Sequence, residues 1–323
     1  MKRIRHLFSL FALAGLLGAA ACGGPAPSPT ATIMPTDTAA PTATVWPPAG
    51  TIAFSQYYTE GGEGEDIYSI QTDGTGLTRL THQPGTYMGS PAWSPDGTRI
   101  AFDSGEAVPS SYAVWSMNAD GSGKVQLSHL PVMGILPTWS PDGKQIAFCG
   151  RPQAIDWFHI YTMNADGSTI TPVTSGEADD LFPAWASDGR ILFIRLPRHV
   201  ILGDVFAVNP DGSGEVQLTQ KGTFRGFTVS PDAKSLAVFD YVLHRIVKIA
   251  TAPPGDEVTL VEGFYDCDDL TLAWSPDGKA LAVGCKPWSE LAKPSALTIV
   301  NADGSGSKKI ENAGLIYDPD WRP

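Results

Sequence analysis

Apolar residues along most of the chain come in short runs, and polar turn residues separate them at nearly constant spacing. Ile100–Phe102, Val114–Met117 and Val125–Leu127 are each too short for a helix. They are bounded by Ser-Pro-Asp-Gly or Asn-Ala-Asp-Gly-Ser-Gly. This pattern predicts β-strands joined by tight turns, because Pro presets φ at the second turn position and Gly accepts a left-handed backbone. The first forty-five residues read differently. Lys2, Arg3 and Arg5 precede an apolar run from Leu7 to Leu17, and residues 23–45 have no periodicity at all.

The runs repeat. PAWSPDGTRIAF starts at Pro91, PTWSPDGKQIAF at Pro137 and PAWASDGRILFI at Pro183, with looser copies from Phe227 and Leu272. Trp93, Trp139, Trp185, Val229, Trp274 and Trp321 anchor successive units at steps of 44 to 47 residues. A second motif recurs in each unit, as in VWSMNADGSGKVQLS from Val114 and IYTMNADGSTITPVT from Ile160. One four-stranded sheet cannot bury both its faces, so such units must stack, and radial closure is the solution at this repeat length.

These WSPDG-x-x-IAF and IY-x-MNADGSG-x-x-x-LT motifs resemble those of the TolB-type β-propeller family, over residues from about 50 to 323. The resemblance implies that the WSPDG strand is innermost. Ile52, Ile100, Ile146, Ile191, Leu236 and Leu281 begin six second strands. The expected fold is therefore all-β, a six-bladed propeller of four-stranded antiparallel blades. Tyr317–Trp321 is expected to close it by pairing with the N-terminal blade, which removes open sheet edges. Trp46 is followed by Pro47 and Pro48, which make that segment a poor ladder partner.

The N-terminus reads as a lipoprotein signal peptide over residues 1–21, since the positive n-region and short apolar run lead through small residues to Cys22. The small residues before that cysteine resemble a lipobox, with Ala19 where leucine is usual; ordinary secretion is the other reading. Residues 22–45 are Pro/Thr/Ala-rich and predict a disordered tether. Residues 46–323 form the propeller. Localisation at the cell envelope follows, on the surface or in the periplasm.

Composition narrows the rest. The chain has 27 Pro and 34 Gly among 323 residues, only 17% charged residues, and nine Trp. That excludes a helical bundle and a disordered chain. The net charge is −12, and loss of residues 1–21 would remove three of the 22 basic residues and none of the 34 acidic ones. The balance argues against nucleic acid as a partner and leaves the lipid as the only membrane contact. Facing positions around Ser275 and Gly278 put Cys267 nearly opposite Cys285, which predicts a disulfide in an oxidising compartment. Cys149 reads as a buried small apolar residue.

Candidate chemistry is sparse. No Gly-x-Ser-x-Gly motif occurs, and the six histidines include no close metal-ligand pair, so no catalytic residue, metal or cofactor is expected. The Asn-x-Asp-Gly-Ser-Gly copies are explained by turn chemistry. Residues that depart from the repeat fall in loops expected at one mouth of the channel. They are Tyr87, Trp157, Asp179, Asp180, Arg225, Tyr265, Asp266, Asp268, Asp269 and Trp288. Acidic and aromatic groups around a rim suit an envelope protein, a peptide or a glycan. Two functions remain open. One is a non-enzymatic, monomeric binding scaffold, as the family resemblance implies. The other is a carbohydrate-active or other small-substrate enzyme, with Asp179 or Asp180 facing Asp268 or Asp269.

Overall fold

The hairpins that follow Trp93, Trp139, Val229 and Trp274 all turn on one device. In the first, Arg99 N–H donates to Ser94 Oγ (2.9 Å), Ser94 O–H donates to Asp96 Oδ1 (2.6 Å), and Thr98 N–H donates to the same carboxylate (3.0 Å). These hydrogen bonds hold the Asp96 carboxyl below its ordinary range. Gly97 takes φ +64°, while the equivalent position of the looser copy is Ala233 at φ +56°. The Ser–Asp contact recurs at Ser140, Ser230 and Ser275.

The structure is a computed structural model. It describes residues 50–58, 64–106, 111–129, 131–152, 156–198, 200–251, 257–264, 267–287, 297–310 and 316–323. Among these residues the secondary structure is β with no α-helix, and no helix is long and apolar enough to cross a membrane. The first strands are β1 (Thr51–Tyr58), β2 (Gly64–Gln71), β3 (Thr78–Arg79), β4 (Thr86–Trp93), β5 (Arg99–Glu106), β6 (Ala113–Asn118) and β7 (Val125–Gln126). Next come β8 (Val132–Trp139), β9 (Gln145–Pro152), β10 (His159–Asn164) and β11 (Thr171–Pro172). They are followed by β12 (Asp179–Trp185), β13 (Ile191–Leu196), β14 (Asp204–Val208) and β15 (Val216–Gln217). The next sheet holds β16 (Phe224–Val229), β17 (Ser235–Asp240), β18 (Arg245–Ala250) and β19 (Val258–Glu262). The last strands are β20 (Cys267–Trp274), β21 (Ala280–Pro287), β22 (Leu297–Asn301), β23 (Ser307–Ile310) and β24 (Ile316–Trp321).

The expectation of six separate four-stranded blades is corrected here. Four blades of four strands are present: β8–β11, β12–β15, β16–β19 and β20–β23. The other eight strands form one sheet in the order β24-β1-β2-β4-β5-β6-β7, with β3 on β2. The join is a parallel bridge between Glu65 of β2 and Tyr87 of β4. Its physical cause is Gly64, where a Cβ would lie 2.7 Å from the Thr86 carbonyl oxygen. Without that side chain the two backbones come close enough to pair. Stacking of Tyr57 on Tyr87 (centroids 6.5 Å apart) covers the same junction. Within this sheet β24 pairs antiparallel with β1, with Ile52 opposite Trp321.

The core comes from the second strand of each repeat. Ile52, Phe54, Ile100, Phe102, Ile146, Phe148, Phe193 and Phe239 are fully buried. Each such side chain contributes about 1.5–3 kcal/mol by burial.

Candidate binding site at the channel and its mouth

Strands β4, β8, β12, β16, β20 and β24 line a central cavity of about 170 Å³. At one level of its wall stand Ser90, Leu136, Phe182, Gly226, Thr271 and Asp318. Four of these residues have left-handed backbones: Ser90 (φ 51°), Leu136 (55°), Phe182 (57°) and Asp318 (48°). Such residues carry strain of about 1–2 kcal/mol each. The conformation turns backbone N–H groups toward neighbouring side chains. Leu136 N–H donates to Asp103 Oδ2 (3.0 Å), Phe182 N–H to the Cys149 thiol, and Asp318 N–H to Thr271 Oγ1 (3.0 Å). Cys149 is thus an acceptor as well as a buried residue, and burial pushes its thiol well up.

Among the described residues the acidic ones lining this cavity are Asp318 and Asp320 of β24, and Asp318 Oδ2 lies 3.5 Å from Ser55 Oγ. Asp320 occupies the position held by Ala92, Thr138, Ala184 and Thr228 in other copies, and it accepts the Trp93 N–H (2.6 Å). Burial pushes its carboxyl up to about 7, against the N–H groups of Trp93 and Trp321, which favour the charged form. Asp318 lies two residues away. Sequence reading used this strand only for closure. Aligning the repeat copies position by position would have exposed Asp320 as the one acid in a column of Ala and Thr.

The predicted mouth residues are distributed as follows. Tyr87 sits at the β2–β4 join. Asp179 Oδ1 accepts the Phe158 N–H (2.8 Å), and burial raises its carboxyl, opposed by that hydrogen bond and helped by the charge of Asp180. Asp180 is buried in an ion pair with Arg195 (Nε–Oδ1 2.7 Å), and His159 Nδ1 lies 3.9 Å from its other oxygen. The hydrogen bond to Asp180 raises the Arg195 pKa, as does a second one to Glu215. Asp180 is therefore committed to structure. Arg225 is buried, with its guanidinium 5.2 Å from the Tyr241 ring centroid. Trp157 lies under the Arg198 guanidinium at 5.5 Å. These contacts bring Trp157, Asp179 and Asp180 together, while Tyr87 stands on a different sheet.

Cys267 and Cys285 are joined, with Cα atoms 5.5 Å apart. They are not directly opposed. Cys267 faces Pro287 and Cys285 faces Leu270, because the hairpin closes at Ser275 and Ala280 and so sets Trp274 opposite Leu281. Asp268 and Asp269 lie in β20, and Asp269 faces Lys286; their side chains lie outside the description. Cys22, Tyr265, Asp266 and Trp288 lie outside the described residues. Among the described residues no cluster of three His, Cys, Asp or Glu side chains is arranged to hold a metal ion.

Sheets packed radially around a cavity lined by their inner strands define a β-propeller. Residues 90–323, more than half of the chain, match the TolB beta propeller domain family, and the chain belongs to it. TolB from Acinetobacter baumannii superposes with a TM-score of 0.68 at 18% identity, covering 85% of this chain and 67% of its own. A chain from a nidogen/laminin complex gives 0.64 at 14% identity, over 85% and 99%. Oligogalacturonate lyase from Vibrio parahaemolyticus gives 0.51 at 13% identity, over 76% and 71%. At these identities the likeness speaks for the fold alone. No curated protein matches the sequence.

Proposed function

We propose that this chain is a non-catalytic binding propeller, held in the cell envelope by a lipid on Cys22, that docks an envelope protein at the channel mouth. The observation that carries the reading is the size of the cavity behind the mouth. At about 170 Å³ it is smaller than the roughly 300 Å³ of ordinary small-molecule pockets, which favours recognition on the surface around it. Tyr87, Trp157, Asp179, Tyr265, Asp266, Asp268, Asp269 and Trp288 are the proposed contact set, with a peptide or glycan as the other ligand classes; Arg225 is buried and left out of it. Asp180 is left to its ion pair with Arg195.

The test is capture of an envelope protein by the immobilised chain, followed by replacement of Asp268 and Asp269 with Asn. Loss of one specific partner supports the mouth as the site. Capture that survives both changes moves the site elsewhere. Replacement of Cys22 by Ser should abolish incorporation of labelled palmitate and release the chain from membranes.

Asp320 favours a second reading. A carboxyl held near 7 inside a cavity, two residues from another carboxylate, could serve acid–base chemistry on a small substrate. Turnover of a polysaccharide or peptide library that vanishes in Asp320→Asn would establish it over the binding reading.

A further inference from the structure

The chain has 34 acidic and 22 basic residues, so any arginine near its surface has acids in surplus to pair with. Several cations do pair, while Arg99, Lys248 and Arg322 lie over the repeat tryptophans Trp139, Trp274 and Trp93. Arg79 binds Asp66, Arg195 binds Asp180 and Glu215, Lys221 binds Glu257, and Arg245 binds Glu257. Arg151 and Arg198 do not, and among the described residues neither makes an ion pair. Each lies instead on an aromatic ring, Arg151 over Phe158 at 5.0 Å and Arg198 over Trp157 at 5.5 Å. The two rings are consecutive residues, so the two guanidiniums flank one short segment of the mouth. Asp179 draws a weak influence from Arg151, yet it spends Oδ1 on the Phe158 N–H. Stacking holds a guanidinium flat at about 0.5–1 kcal/mol and leaves its N–H edge free for a planar carboxylate.

Apolar side chains continue this surface. Val200, in the same loop as Arg198, is 46% exposed. That loop runs to Gly203, which bridges Phe224, and Tyr241 N–H donates to the adjoining Thr223 carbonyl (3.1 Å). The turn after Tyr241 presents Val242 and Leu243, 56% and 51% exposed. Its base is rigid, since Tyr241 packs against both Phe239 and His244. Three successive loops thus offer guanidinium edges at one end and apolar tips at the other.

We infer that this arc, from Arg151 and Phe158 through Arg198 and Val200 to Val242 and Leu243, docks a protein segment that alternates acidic and apolar side chains. The inference rests on the binding reading above and names the partner's chemistry. Charge complementarity selects an acidic occupant, and the apolar tips select a peptide over an acidic glycan, which has nothing to place on them. The net charge of −12 opposes such a partner at long range. Screening at physiological salt confines that repulsion to about 8 Å, within which the two guanidiniums act first.

The test uses the full chain and a synthetic peptide of alternating Glu and Leu, followed by tryptophan fluorescence, with a Lys/Leu peptide and an oligogalacturonate as controls. The Glu/Leu peptide should bind and the Lys/Leu peptide should not, and binding should weaken as salt rises. Arg151→Gln with Arg198→Gln should weaken it about tenfold at an unchanged melting temperature, and Val242→Ser with Leu243→Ser should weaken it several-fold. Equal binding of the two peptides overturns the inference, as does indifference to the Arg changes or oligogalacturonate binding as tight as the peptide. If an envelope protein is still captured by the Arg151→Gln, Arg198→Gln chain, this inference fails while the binding reading stands. If the unaltered chain captures none, the binding reading itself fails.

Discussion

The channel wall has two kinds of inner strand. In β4, β8, β12 and β24 the ladder shifts register at the cavity, beside a left-handed residue. In β16 and β20 no left-handed residue stands at that level, and the shift moves toward the mouth, between Phe224 and Gly226 and between Cys267 and Asp269. The first kind is held sheet to sheet by backbone N–H groups reaching Asp103, Cys149 and Thr271. The second is held by other means. Gly226 packs where a Cβ would meet the Leu270 oxygen at 2.5 Å and the Trp274 indole donates to Thr228 O (3.4 Å) across the sheets, while the disulfide ties β20 to β21 within the last one. One repeat therefore supports two ways of joining neighbours, and the departures from its consensus mark where the method changes.

The largest effect should come from the covalent side. Replacing Cys267 and Cys285 with Ser frees a loop closed over 18 residues and should lower stability by about 3 kcal/mol, read from denaturant midpoints. An unchanged midpoint would mean that the disulfide does not support this side of the ring.

Asp320 tests the other side. Its carboxyl binds a proton more tightly folded, near 7, than at its ordinary value of 3.8. Its contribution is therefore complete below about pH 4 and is lost as pH rises through 7. Asp320→Asn, which keeps an acceptor for the Trp93 N–H, should match the natural chain at pH 4 and exceed it at pH 8 by a few kcal/mol. Parallel pH profiles for the two chains would remove the assignment.

Asp103→Ala should cost about 2 kcal/mol, because the buried Leu136 N–H loses a charged acceptor. The effect should appear in melting temperature with no change in far-ultraviolet dichroism. The smallest change belongs to the looser turn. Ala233→Gly relieves a left-handed alanine and should raise stability by up to about 1 kcal/mol, whereas Gly97→Ala should lower it.

Much of the fold was legible. Ser-Pro-Asp-Gly fixes its own hairpin through contacts within five residues, and Ile-Ala-Phe carries its burial as an unbroken apolar run. The cysteine pair was legible in partner but not in register, because the turn closes at Ser275 and Ala280 rather than at Ser275 and Gly278, which shifts the facing positions. Of the mouth residues, Asp180 and Arg225 were visible as departures from the repeat. Their burial, and the commitment of Asp180 to Arg195, depended on neighbours far along the chain.

The sequence by itself determined the strands, their turns, the repeat and the pairing of the C-terminal strand with the first, because all of these follow from local pattern and from a periodicity written into the chain. Tertiary structure decided the rest. It merged eight strands through the close approach that Gly64 permits, carried Asp320 into a cavity, and left Arg151 and Arg198 stacked on adjacent rings with no ion pair among the described residues. Close approach, burial and the absence of a partner are relations between distant residues, and no local pattern encodes them.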